Sequence, residues 1–474
     1  MDNLFLRPKV AFLGLSLEYY RQLNPQLIVK FGEVFRLWGS KLEKHFDIVS
    51  SALCCTRQET ADFLNSSVAA GAEVVVVSSL SYTASGTSAG ELENCPLPVV
   101  FWNTQTLNEV TPAFADIDLT FNHTVQGTQD VTSVLVSKGV KFSCITANYQ
   151  DEAALERLAL AVRIAGAAHY ARKIRIMMIG GYFEGMDDFI YNGRLLAEKW
   201  GPTALPVAIE ELLEYRAAVD NAELESELHK ERELYDTRDI APEIHRESLA
   251  TALALEKLYR DKKVDGLTVN FKRLREDGRV RSMPFHGINR LIARGAGYAG
   301  EGDFVRAALM AELARIGSVN FTEIYPVDFV NNRMMMSHMQ ECNPRWSDPE
   351  FRIRLERRDF GGDNPMPYAG MRFIGGPDEV TLTNITRLPD GQLRILASDG
   401  RIIKHPELID YHKPHWLFAP AEGSVGRWLD AYSYYGGTHH LIAIKAPLAA
   451  AAELARWHGF EFIHISGKEN KYYV

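Results

Sequence analysis

The sequence predicts an α/β protein in which two doubly wound parallel-sheet domains precede a C-terminal domain shaped as an antiparallel β-barrel. Two observations predict the parallel sheets: short apolar runs recur up to about residue 320, and amphipathic helical segments separate them. A third observation predicts the barrel, because beyond residue 320 short extended segments follow one another with turn signals between them. A chain of 474 residues also exceeds what one hydrophobic core usually holds.

The N-terminal α/β domain is expected over residues 1–173. Its strands are predicted at 9–16, 48–54, 73–80, 98–103 and 141–147. Its helices are predicted at 25–45, 57–70, 128–138 and 151–172. Open parallel sheets bind ligands beyond the carboxyl ends of their strands, so the polar stretch at 122–127 is a candidate binding loop.

A second α/β domain is expected over residues 174–325 and the barrel domain over 326–474. The central domain should contain strands at 174–180 and 265–271, a helix at 188–200, a charged helical tract at 208–263 with a helix start at Pro242, and a charged turn at 272–281. The barrel domain should contain extended segments at 351–358, 378–388 and 392–398, with turns at 389–391 and 399–400. The chain should close with strand 439–444, helix 446–458 and strand 460–465.

Composition narrows the class of protein. A net charge of −9 and a pI near 5.9 argue against a nucleic-acid or anionic-membrane partner. The first residues do not form a secretory signal, and no apolar run reaches the roughly 18 residues of a membrane span. The five cysteines include no CxxC pair, which argues against a disulfide framework and a zinc ribbon and predicts a cytoplasmic protein.

The stretch 295–339 contains the strongest functional signal in the chain. Glu301 lies between glycines, Glu323 interrupts an apolar extended segment, and His338 lies among methionines. A carboxylate or imidazole is costly to bury unless it is paired or binds a metal. The Gly-Gly-Thr-His-His segment at 436–440 adds a fourth candidate position.

Each of these residues also has an ordinary structural explanation. Glu301 could complement a helix dipole, Glu323 could face solvent, and His338 could be a hydrogen-bonded core histidine. Alternation along a strand would send the rings of His439 and His440 to opposite faces, so at most one should reach a shared site. As a set, however, two carboxylates and two imidazoles suit Mn²⁺, Co²⁺, Fe²⁺ or Zn²⁺ with positions left for a substrate.

The residues from 284 to 342 resemble the L-arabinose isomerase family, which is part of the fucose/arabinose isomerase fold group. The matching pieces are Ala-Gly-Glu-Gly-Asp at 299–303, Phe-Thr-Glu-Ile-Tyr at 321–325, Ser-His-Met at 337–339 and Gly-Gly-Thr-His-His at 436–440. Their order and approximate spacing are also those of the family. Elsewhere the likeness lies mainly in the layout of the three domains.

The resemblance implies a metal site and an acid–base pair. It implies that Glu301, Glu323, His338 and His440 bind Mn²⁺, with Co²⁺, Fe²⁺ or Mg²⁺ as alternatives, and that the two glutamates also exchange protons with the sugar. Aldose–ketose isomerisation moves a proton between C1 and C2 through an enediol, so it needs a base and a Lewis acid.

The resemblance also implies which residues contact the sugar, and here the sequence departs from the family. Met186 and Phe271 match its apolar contacts, and His439 is assigned to the substrate side. The family's Gln-Thr-x-His-Gly loop is replaced by His-Thr-Val-Gln-Gly at 123–127, so Gln126 stands for the family histidine and a histidine appears at His123. Metal chemistry is therefore expected to be retained while the sugar pocket differs.

The resulting expectation is a cytoplasmic, metal-dependent isomerase of a free sugar, such as a pentose, a deoxy-sugar or a related aldose. The family resemblance implies a homo-oligomer, a hexamer or trimer, whose active sites take N-domain residues from a neighbouring subunit. Two alternatives stay open. The same metal site could serve a sugar epimerase or a retro-aldol enzyme, and the altered loops could belong to a sugar-binding protein without turnover.

Overall fold

The computed structural model describes residues 7–361 and 365–468. These residues form two compact units, an N-terminal unit that ends at Tyr170 and a C-terminal unit that begins at Ala171. The expected division of the second unit at residue 325 stays a prediction.

The N-terminal unit is a five-stranded parallel sheet with helices between its strands. The strands are β1 (Lys9–Leu15), β2 (Asp47–Cys54), β3 (Val74–Ser79), β4 (Val99–Asn103) and β5 (Phe142–Thr146). The helices are α1 (Glu18–Leu23), α2 (Pro25–Leu42), α3 (Arg57–Ala69), α4 (Ala89–Asn94), α5 (Asp116–Asn122), α6 (Thr124–Ser137) and α7 (Glu152–Tyr170). The strand order is β2-β1-β3-β4-β5. The central strands β1, β3 and β4 are buried except for Lys9 at the start of β1, as their apolar runs predict.

The C-terminal unit begins with a four-stranded parallel sheet. Its strands are β6 (Arg175–Ile179), β7 (Thr203–Val207), β8 (Gly266–Val269) and β9 (Gly297–Gly300), in the order β7-β6-β8-β9. Its helices are α8 (Gly193–Lys199), α9 (Ile209–Ala217), α10 (Asn221–Leu234), α11 (Pro242–Lys262), α12 (Phe271–Asp277), α13 (Phe285–Ala293) and α14 (Phe304–Leu313). The loops after β6, β8 and β9 share one edge of this sheet, because parallel strands end on the same side.

A closed antiparallel barrel follows in the same unit. It is formed by β10 (Val319–Asp328), β11 (Arg333–Ser337), β14 (Asp378–Arg387), β15 (Leu393–Ile403), β16 (His415–Pro420) and β17 (His440–Ile444). The order β14-β17-β10-β11-β16-β15 closes through the pairing of β14 with β15, which removes free sheet edges. The remaining elements are the hairpin strands β12 (Arg354–Phe360) and β13 (Met366–Arg372), the helices α15 (Val425–Tyr434) and α16 (Leu448–His458), and β18 (Glu461–His464), which pairs in parallel with β15.

The predicted fold class is confirmed, and several local predictions are wrong. The charged turn at 272–281 contains helix α12, which Asn270 caps. The expected turn at 399–400 lies inside β15, where β14 and β16 pair on either side of it. The helix predicted from 188 begins only at Gly193, and the extended segment predicted from 351 begins at Arg354. No helix within the described ranges is long and apolar enough to cross a membrane.

Candidate metal centre

Glu301 lies at the carboxyl edge of the parallel sheet, directly after β9. Its backbone has a left-handed φ of 63°, and its N–H donates to the carbonyl of Val269 at 3.0 Å. Its carbonyl accepts from the N–H of Phe183 at 3.0 Å, in the loop after β6. Gly302 must be small here, because an added Cβ would lie 2.5 Å from the carbonyl oxygen of Gly181. The close approach of these two loops fixes the position of the Glu301 carboxylate.

Glu323 is held in the barrel by pairing on both sides. On β10 it lies opposite Ser337 of β11 and opposite His440 of β17. This register brings His440, and through Ser337 also His338, beside the same carboxylate. Glu323 is mostly buried, with 16% of its side chain exposed.

His338 and His440 are both buried, and each is oriented by a carboxylate at its Nδ1. His338 Nδ1 is 2.7 Å from Glu341 Oε2, and His440 Nδ1 is 2.9 Å from Asp303 Oδ2. A metal-binding histidine commonly has such a carboxylate on its far nitrogen, because the contact fixes the tautomer and the ring orientation. Sequence reasoning missed the roles of Asp303 and Glu341.

The remaining nitrogens of the two histidines face the glutamates. His338 Nε2 is 3.9 Å from Glu323 Oε1, while His440 Nε2 is 3.7 Å from Glu301 Oε2 and 4.0 Å from Glu323 Oε1. Bonds to Mn²⁺-like or Zn²⁺-like ions are about 2.0–2.2 Å long, so the ligands of one ion lie about 3–4.4 Å apart. The observed separations fall within this range.

Unsatisfied polar atoms also fit a metal. Glu301 Oε2 and His440 Nε2 are buried, and within residues 7–361 and 365–468 they have no hydrogen-bond partner. Glu301, His338 and His440 form one cluster of ligand atoms within 4.8 Å of one another, and Glu323, His439 and His440 form another. A buried acceptor without a partner costs free energy, and a cation at this point would remove that cost. The four residues therefore fit a divalent metal.

The two supporting carboxylates are held in their charged form. Burial raises the pKa of Asp303, but Arg306 and His440 outweigh it and leave the pKa below its usual value. Burial likewise raises the pKa of Glu341, but the contact with His338 outweighs burial and leaves that pKa below its usual value. Each carboxylate can therefore accept a hydrogen bond from an Nδ1–H and leave Nε2 free for a ligand.

The two buried imidazoles respond differently to their surroundings. Burial lowers the pKa of His338, but Glu341, Glu323 and Glu301 outweigh this effect and raise it overall. For His440 burial prevails over Asp303, and the pKa is lowered. His440 is thus held in the neutral form that a metal requires.

His439 also reaches the glutamates, contrary to the expectation from strand alternation. Its Nε2 is 3.6 Å from Glu301 Oε2 and 3.5 Å from Glu323 Oε1, and its ring centroid is 4.3 Å from that of His440. The alternation argument fails because β17 begins at His440 and His439 lies before the strand. Phe189, which sequence reasoning missed, stacks on both imidazoles at 5.3 and 4.8 Å.

The predicted sugar contacts occupy different places. Phe271 is buried, and its ring lies 6.3 Å from that of His338. Met186 is half-buried in the loop that hydrogen bonds to Glu301. His123 and Gln126 belong to the N-terminal unit, where the His123 ring lies 5.3 Å from Tyr82 and Gln126 is exposed on α6. The contribution of these two residues to a sugar site stays a prediction.

Two family models match most of the C-terminal unit. The family model of the L-arabinose isomerase central domain matches residues 197–319, and that of the C-terminal domain matches residues 318–461. The chain belongs to the L-arabinose isomerase family. It is a divergent member, and like its family it is an aldose–ketose isomerase, that is, an intramolecular oxidoreductase.

Three relatives illustrate the distance from other members of the L-arabinose isomerase family. L-arabinose isomerase of Herpetosiphon aurantiacus is 24% identical over 399 residues, which cover 80% of this chain and 77% of the relative. That of Yersinia enterocolitica is 24% identical over 389 residues, covering 78% and 76%. That of Geobacillus kaustophilus is 24% identical over 363 residues, covering 72% and 70%.

Proposed function

We propose that the chain is a divalent-metal-dependent isomerase that interconverts an aldose and its ketose through an enediol. The sugar is a pentose, a deoxy-sugar or a related aldose. One observation carries this proposal: Glu301, Glu323, His338 and His440 converge from two sheets, and in the described residues Glu301 Oε2 and His440 Nε2 have no hydrogen-bond partner. Structural carboxylates would instead be expected to have partners at such burial.

Glu301, Glu323, His338 and His440 would hold the metal, with Mn²⁺ as the proposed ion and Co²⁺, Fe²⁺ or Mg²⁺ as alternatives. When bound, the ion supplies Lewis-acid polarisation of the sugar oxygens at C1 and C2. Asp303 and Glu341 keep the two imidazoles oriented by accepting from their Nδ1–H groups.

The proton transfers are assigned to the glutamates. One carboxylate takes the proton from C2 of the aldose and returns it to C1, while the other moves the hydroxyl proton from O2 to O1. The net reaction then neither gains nor loses a proton, as an isomerisation requires. His439, within 3.6 Å of both carboxylates, is placed to hydrogen bond to a sugar oxygen between them.

The N-terminal unit and the cellular setting enter through the resemblance. We infer that the enzyme is a homo-oligomer, a hexamer or trimer, in which His123 and Gln126 of one subunit contribute to the sugar pocket of another. The cysteines of the chain are all unpaired, which supports a reducing compartment such as the cytoplasm.

Ketose formation from a panel of aldoses tests the proposed function. Chelator-stripped protein is compared with the same protein given back Mn²⁺, and metal-dependent product is expected from one or a few sugars. Glu301→Gln should lower kcat by at least about 10²-fold with an unchanged fold by circular dichroism. Glu379→Gln, at an exposed position of β14, is the matched control. An active Glu301→Gln variant with normal metal content would refute the assignment.

A further inference from the structure

Lys413 lies near Tyr325, which shares β10 with Glu323, and in the described residues it forms no ion pair. Its Nζ lies 5.7 Å from the ring centroid of Tyr325, and the side chain is only partly exposed. Burial lowers the pKa of this lysine; the carboxylates of Glu341 and Glu323 oppose that effect, and Arg358 adds to it. The contact with Tyr325 therefore places Lys413 beside β10, two residues along the strand from Glu323.

Arg358 is another cation for which the described part of the chain shows no ion pair. It lies on β12 opposite Tyr368 of β13, and its chain runs over Gly370, where an added Cβ would lie 2.3 Å from Arg358 Cγ. Gln340, two residues after His338, borders the same point with its Oε1 2.8 Å from that Cβ. Phe360, two positions along β12, packs against Phe271 at 6.2 Å. Because alternate residues share a strand face, this contact places Arg358 on the face directed toward the centre.

Three more deeply buried arginines of the same unit, in contrast, pair with carboxylates. Arg290 contacts three glutamates, Arg306 pairs with Asp303, and Arg372 pairs with Glu356 and Glu407. In residues 7–361 and 365–468, no carboxylate oxygen lies within the 4.0 Å ion-pair distance of Lys413 or Arg358. Two partly buried like charges that repel each other cost free energy unless an anion joins them.

The position of the two cations suits the far end of a bound sugar. Lys413 lies over Tyr325, which follows Glu323 by two residues on β10, a step of about 7 Å along the strand. Tyr411 fixes the same loop, because its hydroxyl donates to Ser337 Oγ at 2.9 Å, next to His338. A chain of pentose or hexose size with its first two carbons between the glutamates reaches across this distance.

We propose that Lys413 and Arg358 form an anion subsite, and that the substrate is an aldose with a negatively charged group at the end remote from the reacting carbons. The group is a carboxylate, a phosphate or a sulfonate. All three carry anionic oxygens that accept hydrogen bonds from ammonium and guanidinium donors. This inference rests on the proposed function for the location of C1 and C2. The anion subsite adds the class of substrate to the proposed function.

Direct binding tests the subsite without relying on turnover. The Mn²⁺-loaded full-length protein is titrated calorimetrically with a neutral aldose and with a uronate, a terminal phosphate and a terminal sulfonate of matching configuration. At least one anionic sugar is expected to bind about tenfold or more tightly than the neutral one. Comparison of the three then identifies the anion. Equal affinity for all four sugars would overturn the proposal.

Variants separate this subsite from binding of the anion to the metal. Lys413→Met and Arg358→Met should each remove most of the preference, whereas Lys413→Arg should keep it. Arg357→Met is the matched control for Arg358→Met. Arg357 is the neighbour of Arg358 on β12, is exposed and pairs with Asp359. A preference that survives Lys413→Met and Arg358→Met would place the anion elsewhere and overturn the proposal.

The outcome also distinguishes the subsite from the proposed function. Anion preference that depends on Lys413, without ketose formation from the preferred sugar, would sustain the subsite and refute the isomerase. Isomerisation of a neutral sugar without anion preference would sustain the isomerase and refute the anion subsite.

Discussion

Each candidate metal-binding histidine depends on one carboxylate that contacts its far nitrogen. Asp303 and Glu341 do not face the metal position themselves; they contact Nδ1 of His440 and His338. Both carboxylates are completely buried and charged. Replacing either carboxylate by an amide, which removes the charge, should therefore disturb the histidine that it contacts.

Asp303→Asn tests this support at one position. The amide keeps the N-cap of α14, because asparagine caps about as well as aspartate, but it loses the charge beside His440. Mn²⁺ affinity should fall by about 10–100-fold, as measured by calorimetric titration of the metal-free protein. Asp378→Asn, at an exposed ion pair with Lys445, should leave the affinity unchanged. Equal affinities for the two variants would show that Asp303 does not support the site.

Single residues also show what the sequence could reveal about the centre. Glu301 and Glu323 are recognisable because a carboxylate stands among glycines or apolar residues. The contact of Asp303 with His440 joins residues 137 positions apart, and no local pattern indicates it. The expectation that at most one of His439 and His440 reaches the site was wrong, because His439 lies before the first residue of β17.

Among the secondary-structure elements, the position of Glu301 depends on how closely β9 and α14 pack. A Cβ added to Gly297 would lie 2.4 Å from the carbonyl oxygen of Ala307 and 2.5 Å from the amide nitrogen of Ala311. Both contacts are with helix backbone, so relief requires α14 to move away from the sheet.

Gly297→Ala should therefore destabilise the protein by about 1–3 kcal/mol in urea unfolding. Gly426→Ala in α15 is the control, because a Cβ there meets no atom within 4 Å. That change should instead stabilise the protein by about 0.5–1 kcal/mol, since alanine favours a helix. Unfolding of the two variants at the same urea concentration would show that the contact of Gly297 with α14 does not limit stability.

A buried charge network joins α10, α11 and α13. Glu231 accepts from His245 and His286 at 2.7 Å each, and from Arg290 Nη1 at 2.7 Å. Arg290 in turn contacts Glu227 and Glu256. Burial raises the pKa of Glu231, but His286, His245 and Arg290 outweigh it and hold the pKa far below its usual value.

This pKa shift predicts the pH dependence of stability. A carboxyl group with a lowered folded-state pKa stabilises the protein above its unfolded pKa, near 4.3, and the contribution is lost as the pH falls through the folded value. Glu231→Gln should destabilise the protein by about 3–5 kcal/mol at pH 7, because it removes the buried carboxylate that His245, His286 and Arg290 share. The variant should also lose less stability than the wild type between about pH 5 and 3. Parallel stability curves for the two proteins would contradict this account.

Helices and strands were predictable where the periodicity of apolar residues in the sequence matches the burial of the element in the fold. Where the two differ, the element type was not predicted. The buried strands of both parallel sheets show as apolar runs, and Pro242 marks the start of α11 as expected. Helix α12 was missed because its charged residues resemble a solvated turn, while its cap, Asn270, lies at the end of a strand. Asp399 and Gly400 suggest a turn locally, but pairing with β14 and β16 keeps them extended.

At the scale of the whole molecule, the residues of the candidate centre come from two different sheets and from distant positions in the sequence. Glu301 comes from the edge of the parallel sheet, whereas Glu323, His338 and His440 come from the barrel. The family resemblance could order these parts, but their distances follow only from the register of β10 with β11 and β17. Sequence could not test the contribution of His123 and Gln126, which belong to the other compact unit.

Mixed oligomers test that contribution. If each sugar site combines the C-terminal unit of one subunit with the N-terminal unit of another, Glu301→Gln and Gln126→Ala damage different partners of the same site. Random mixing of two such inactive variants should restore about a quarter of the sites. The measurement is ketose formation after the two variants are co-expressed with different tags and purified through both tags. Mixed Glu301→Gln and Glu323→Gln subunits, whose changes lie in the same unit, serve as the control and should stay inactive. Activity that does not exceed that of the separate variants would show that each subunit builds its site alone.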